Sequence, residues 1–152
     1  MKTIQITEAN ALKAYDSTDS TGRALLADLI GADFFNRKIT DRVKTLEDAL
    51  ELSTYKPSWT EDDAPDDVAY KQLKAIVNAL NEGWTPDLTD DEQYWYWPYF
   101  SKTSKGFVFF NVHYYSSLTN LSSRLCFRSR EVAQYAAETF HDLYRDYYLI
   151  AD

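Results

Sequence analysis

The side chains best placed to do chemistry in this sequence are rings. Tyr94-Trp95-Tyr96-Trp97-Pro98-Tyr99-Phe100 is a run of aromatics interrupted by one proline. Alternate residues of a strand face opposite ways, so both faces of such a strand are aromatic. If the core takes one set, the other stays open. Open Trp and Tyr give a large, rigid contact area, which suits a protein, a sugar or a base. Trp95, Trp97 and Tyr99 are therefore candidate binding residues. Pro98 removes a backbone donor, which marks an edge strand or a bulge. An edge strand is also a route to a homodimer.

A second stretch adds to this surface. In Lys105-Gly106-Phe107-Val108-Phe109-Phe110-Asn111-Val112, four residues follow the strand motif of RNA-recognition modules: Lys105, Gly106, Phe107 and Phe109. Val108, Phe110 and Val112 depart from it. Phe107 and Phe109 share a face, as stacking on bases requires. Arg124 and Arg128 share a face of a candidate neighbouring strand, where they can meet phosphates. The alternative for all these residues is a sheet covered on both sides, with the rings as core.

Other chemistry is sparse. Glu61, Asp62, Asp63, Asp66, Asp67, Asp87, Asp90, Asp91 and Glu92 form an acidic stretch. Within it, Asp62-Asp63-Ala64-Pro65-Asp66 lacks the glycine and terminal glutamate of a calcium loop, so no metal site is assigned. An acidic surface can also imitate nucleic acid and occupy a basic groove of a host protein. There are two histidines, His113 and His141, and one cysteine, Cys126. A Cys126–His113 pair across strands is the one nucleophile that can be named. Cys126 is otherwise a small core hydrophobe. The glycines make no phosphate loop and no histidine pair has zinc spacing. The expectation is a protein without a catalytic centre and without a cofactor.

Composition sets the frame. The chain has 152 residues, a net charge of −8 and 16% aromatics. Length favours one domain, 1–152, able to build a core without metals or disulfides. The acidic balance argues against an electrostatic binder of duplex DNA. Charge is uneven: residues 1–60 net −1, residues 61–93 net −8, residues 94–152 net +1. Seventeen of the 24 aromatics lie in 94–152. A lone cysteine fits a reducing cytoplasm. The first eight residues hold no signal-peptide core, and no apolar run is long enough for a membrane span.

The elements that must position these side chains follow from caps and periods. Residues 1–82 read as helical. Thr7 caps a helix through Tyr15, and Asp19 or Ser20 caps a second, ended by Gly31. Ile39, Val43, Leu46 and Leu50 mark one face of a third, with Thr40 or Thr45 as its start. Tyr55–Ala64 is a loop. Pro65 opens a fourth helix, with Asp66 and Asp67 at its positive end and a stripe of Ala69, Leu73, Ile76 and Leu80. Residues 94–148 change period. Tyr94–Phe100, Gly106–Tyr115 and Arg124–Arg128 read as strands, with Ser101–Lys105 a polar turn. Along Gly106–Tyr115, Val108, Phe110, Val112 and Tyr114 face one way and Phe107, Phe109, Asn111, His113 and Tyr115 the other. Ser129 caps a last helix with a stripe of Val132, Ala136, Phe140, Leu143 and Tyr147. The expected fold is α+β: N-terminal helices, then a three-stranded antiparallel sheet, then a C-terminal helix packed on it.

Several stretches resemble a family of uncharacterised small proteins encoded by phages, prophages and mobile elements of gut bacteria. They are Ile39–Ala49, Ala79–Trp84, Tyr96–Phe100 and Ser123-Arg124-Leu125-Cys126-Phe127-Arg128-Ser129, with Tyr135, Ala136, Phe140 and Asp142-Leu143-Tyr144-Arg145-Asp146. The resemblance spans roughly residues 37–148. It implies an origin and a setting, and supplies no activity.

The resulting expectation is a cytoplasmic, non-enzymatic accessory protein that binds another protein through its aromatic surface. A binder of single-stranded nucleic acid or a small ligand on Phe107, Phe109 and Arg124 is the alternative. An acidic nucleic-acid mimic that inhibits a host protein is a third reading.

Overall fold

A computed structural model describes residues 5–116 and 123–149. The chain groups into two compact units, 1–42 and 43–152.

In the first unit, local caps set the helix ends. Thr7 accepts a hydrogen bond from the Asn10 amide at 3.2 Å and opens α1 (Glu8–Ser17). Asp19 accepts from the Gly22 amide at 2.8 Å and opens α2 (Ser20–Ile30). Gly31 ends α2 at φ 105°, a conformation that a side chain would strain. Two short helices follow, α3 (Ala32–Asn36) and α4 (Ile39–Arg42). Tyr15 stacks on Phe35 at 4.1 Å, and Glu8 pairs with both Arg37 and Arg42.

The single helix expected over Ile39–Leu50 is two. After α4 the chain breaks, and α5 (Leu46–Leu52) starts afresh at Thr45. The Lys44 and Thr45 amides both donate to the Asp48 carboxylate, at 2.9 Å each, while the Thr45 hydroxyl accepts from the Asp48 amide. This reciprocal box satisfies the donors that a continuing helix would have used.

The second unit is built on α6 (Pro65–Leu80). Proline fits its first turn because that turn needs no backbone donor. Its stripe of Ala69, Leu73, Ile76 and Leu80 is buried, and α6 packs against α5 and α8 (His141–Tyr148). Thus α5 and α6 group with the sheet, and the boundary between units lies at 42/43.

The class is α+β, and among the described residues the sheet has two antiparallel strands, β1 (Trp95–Thr103) and β2 (Gly106–Tyr115). The turn is shorter than expected: Thr103 already pairs with Gly106. The expected third strand, Arg124–Arg128, is a 3₁₀ turn (Ser123–Leu125) followed by one bridge between Phe127 and Tyr96. Two features explain this. Leu125, Cys126 and Phe127 are all buried, so the segment does not alternate as a half-covered strand would. And the neighbouring backbone groups go to a side chain, since the Asn81 amide donates to the Cys126 carbonyl at 2.9 Å and accepts from the Arg128 amide at 3.1 Å. One buried asparagine replaces the ladder.

The bridge also accounts for Pro98. Tyr96 directs its N–H and C=O to Phe127, away from β2. Two residues on, Pro98 points the same way, so its missing donor falls at the outer edge and costs no bond between the strands.

The C-terminal helix is likewise two. α7 (Arg130–Thr139) starts at Ser129, whose hydroxyl accepts from the Val132 amide, and it packs on both strands. At Phe140 the backbone turns to φ −112°, ψ 30°, and α8 follows. The break changes the phase of the stripe. Val132, Ala136 and Phe140 are buried as expected, but the deeply buried residue of α8 is Tyr144, not Leu143 or Tyr147.

Candidate functional site

The decisive local feature is a bulge. Tyr99 pairs with Asn111 and Phe100 with Phe109, so Phe110 has no partner of its own. Asn111 occupies this point with its side chain, which accepts from the Val112 amide at 2.8 Å and from Arg130 at 3.2 Å. The expected alternation of β2 therefore breaks. Of Val108, Phe110, Val112 and Tyr114, Val112 alone is buried, and Phe110 is 66% exposed.

Phe107 and Phe109 do share surroundings, but not an open face. Phe100 stacks on Phe107 at 4.7 Å and meets Phe109 edge-on at 5.9 Å. His141, Tyr144 and Tyr148 of α8 lie against the same ring, at 4.9 to 6.0 Å. Phe107 also meets His141 and Tyr148. Both residues are half-buried beside the helix, so stacking on bases across an open sheet is not what this face offers. The Tyr144 hydroxyl is buried with no partner among the described residues, and burial holds its pKa far above the ordinary range.

The other rings of β1 behave differently. Trp95 and Trp97 are each 6% exposed, so neither tryptophan forms an open surface. Trp97 is instead the floor of one. Tyr115 stacks on it at 5.9 Å, and one step along the hairpin Tyr99 stacks on His113 at 4.4 Å. Tyr99, Tyr115 and Phe110 are exposed. These two diagonal pairs open into a groove of about 480 Å³. Its walls are residues 97–100, the Tyr115 and His113 rings, and Tyr148 with Leu149 at the end of α8. Lys102 and Phe107 close it near the hairpin turn. Among the described residues no carboxylate lines it.

Of the residues expected to bind, the structure thus brings Trp97, Tyr99 and Phe107 to one groove. Trp95 is buried, and Phe109 lies by Phe100. Arg124 and Arg128 do not share a strand face. Arg128 pairs with Glu82, while Arg124 is on the 3₁₀ turn and lines a separate cleft. His113, Tyr115, Tyr148, Leu149 and Lys102 were not singled out as binding residues. One signal was present: an asparagine inside an apolar strand is out of place by propensity and marks the bulge.

The remaining candidates give little chemistry. Cys126 is buried, its thiol donates to the Ser123 carbonyl at 3.1 Å, and burial pushes its pKa up to about 12. No hydrogen bond joins it to His113 among the described residues. Several acidic residues are spent on their own loops. Asp63 accepts from the Thr60 amide and Lys71, and Asp87 from the Thr89 amide and hydroxyl. These bonds hold both carboxyls below the usual range. Among the described residues no cluster of His, Cys, Asp and Glu is arranged to hold a metal, and no helix is long and apolar enough to cross a membrane.

Comparison with protein-family models, with curated proteins and with solved structures found no match.

Proposed function

We propose that the chain is a non-enzymatic binding protein that holds an extended, apolar segment of a partner protein in the groove beside β1. The observation that carries this is the pair of diagonal ring stacks, Trp97–Tyr115 and Tyr99–His113, opening into one cavity. Trp97 and Tyr99 are two residues apart on a strand, roughly 6.6–6.8 Å. Alternate side chains of an extended peptide have the same spacing, so successive apolar residues can meet successive ring pairs. Exposed tyrosines over a buried tryptophan give such a peptide rigid, desolvating contacts. With Lys102 at one end and no carboxylate in the lining among the described residues, the groove favours a segment with an acidic residue at that end. In the setting that the resemblance implies, the partner belongs to the bacterial host or to the mobile element itself, and meets this protein in the cytoplasm.

The test is selection from a random peptide library on the immobilised protein. Enriched peptides should be apolar at alternate positions with an acid at one end. Tyr99→Ala with Tyr115→Ala should weaken a synthetic enriched peptide by about tenfold or more, and Lys102→Ala should weaken the acidic peptide more than its neutral analogue. Absence of enrichment, or peptides indifferent to these changes, would refute the reading.

A further inference from the structure

A second cleft lies in the same unit, away from the aromatic groove, and its chemistry is different. It measures about 260 Å³ and is bordered by α6, the loop after α5, the chain after Gly83 and the 3₁₀ turn. Tyr70, Lys74 and Asn78 are spaced by four along α6 and so share a face. The Lys74 ammonium sits 4.6 Å from the Tyr55 ring centre and 4.8 Å from that of Tyr70. Among the described residues it has no carboxylate partner. This is unusual in its surroundings, because residues 61–93 hold ten acids and two lysines. The other lysine, Lys71, is paired with Asp63. Arg124 lines the same cleft, and among the described residues no carboxylate does.

The walls are braced by two asparagines. The Asn78 carbonyl oxygen accepts from the Ser53 hydroxyl at 3.0 Å, the Thr54 amide at 2.7 Å and the Thr54 hydroxyl at 3.0 Å. These donors fix which way the amide faces. Its N–H₂ group is left with no acceptor among the described residues, and Asn78 lines the cleft. Asn81 holds the opposite wall through Cys126 and Arg128, and its own carbonyl accepts from the Trp84 amide at 2.9 Å. Lys74, Asn78 and Arg124 thus border one cleft together with two rings, Tyr55 and Trp84. A cation, a guanidinium and an amide suit an anion, and flat rings suit a flat partner. The volume is below that of drug-sized sites and of the order of one ring with an attached anionic group.

We propose that this cleft binds a mononucleotide-like anion, a planar heteroaromatic ring carrying one phosphate. Lys74 and Arg124 meet the phosphate, and Trp84 and Tyr55 flank the ring. The proposal does not depend on the peptide groove.

The experiment titrates adenosine monophosphate, adenosine and inorganic phosphate separately into the full ¹⁵N-labelled chain. The indole N–H signals are followed, with that of Trp84 assigned through Trp84→Phe. Adenosine monophosphate should shift the Trp84 signal saturably, with affinity about tenfold or more above that of either fragment. Lys74→Gln should weaken it by about tenfold with the far-UV spectrum unchanged. If that variant unfolds, Arg124→Gln supplies the same comparison. No saturable shift at about 10 mM overturns the proposal. So does adenosine binding as well as the nucleotide, which removes the anion, or phosphate binding as well, which removes the ring. Nucleotide binding that both charge variants leave unchanged places the site elsewhere and overturns it too.

Discussion

Phe127 and Tyr96 exchange two backbone hydrogen bonds, of 2.7 and 3.1 Å, and this bridge is where the fold departs from a three-stranded sheet. On either side of it the chain turns to Asn81 instead of to β1.

Asn81 is 3% exposed, and nothing else bonds the Cys126 carbonyl and the Arg128 amide among the described residues. Asn81→Ala leaves the buried Cys126 carbonyl and the part-buried Arg128 amide unsatisfied. A buried group costs about 1–3 kcal/mol and a part-buried one less, so the expected loss is about 1–4 kcal/mol. Urea unfolding monitored by tryptophan fluorescence measures it. A loss below about 0.5 kcal/mol would show that water or a shifted chain replaces the amide.

Cys126 yields a second prediction. Burial raises the thiol to about 12, against an ordinary 9.0. Near pH 8 the folded protein should therefore react with a thiol reagent at least about a hundredfold more slowly than the urea-unfolded protein. The reaction should speed up in step with unfolding. Prompt labelling of the native chain would instead restore Cys126 as a candidate nucleophile.

Helix starts were readable where a local signal marked them: Thr7, Asp19, Thr45 and Ser129 cap helices through their side chains, and Pro65 occupies the first turn of another. Each signal is local, so no tertiary knowledge is needed. The buried face of α6 was readable from its period for the same reason. What failed depended on partners distant in sequence. Arg124–Arg128 resembles a strand until Asn81, about 45 residues earlier, takes its backbone groups. Alternation along β2 holds only up to the bulge, and beyond it the face of each ring changes. The tryptophans drew attention by type, yet a large ring is also the best core filler. Their burial left the binding surface to the tyrosines. The groove itself needs Tyr148 and Leu149 from the far end of the chain, and no spacing within Trp95–Phe100 could announce them.

The cap at Thr45 makes stability depend on pH in a definite direction. Hydrogen bonds from the Lys44 amide, and then from Thr45, hold the Asp48 carboxyl below its ordinary 3.8. A carboxyl lowered in the folded state contributes stability that is complete above the unfolded value. That contribution is lost as the pH falls from 3.8 through the lower folded value. The difference in unfolding free energy between the parent and Asp48→Ala should thus be constant from neutral pH to about one unit above 3.8 and shrink below it. Thr45→Ala should cost about 1 kcal/mol at neutral pH. A difference that grows on acidification would contradict the assigned bonds.

The bulge at Phe110 separates three neighbouring phenylalanines by environment. Phe110 is mostly exposed, whereas Phe107 and Phe109 are half-buried against Phe100, and Phe107 also touches His141 and Tyr148. Phe110→Ala should change stability by less than about 0.5 kcal/mol, as surface changes generally do. Phe107→Ala removes ring contacts on two elements and should cost about 2 kcal/mol or more, short of the 3–5 kcal/mol of a fully buried ring. Chemical unfolding of both variants side by side decides it. Regular alternation along β2 would put Phe110 with buried Val112 and reverse the order, because a one-residue slip exchanges the faces of every side chain beyond it.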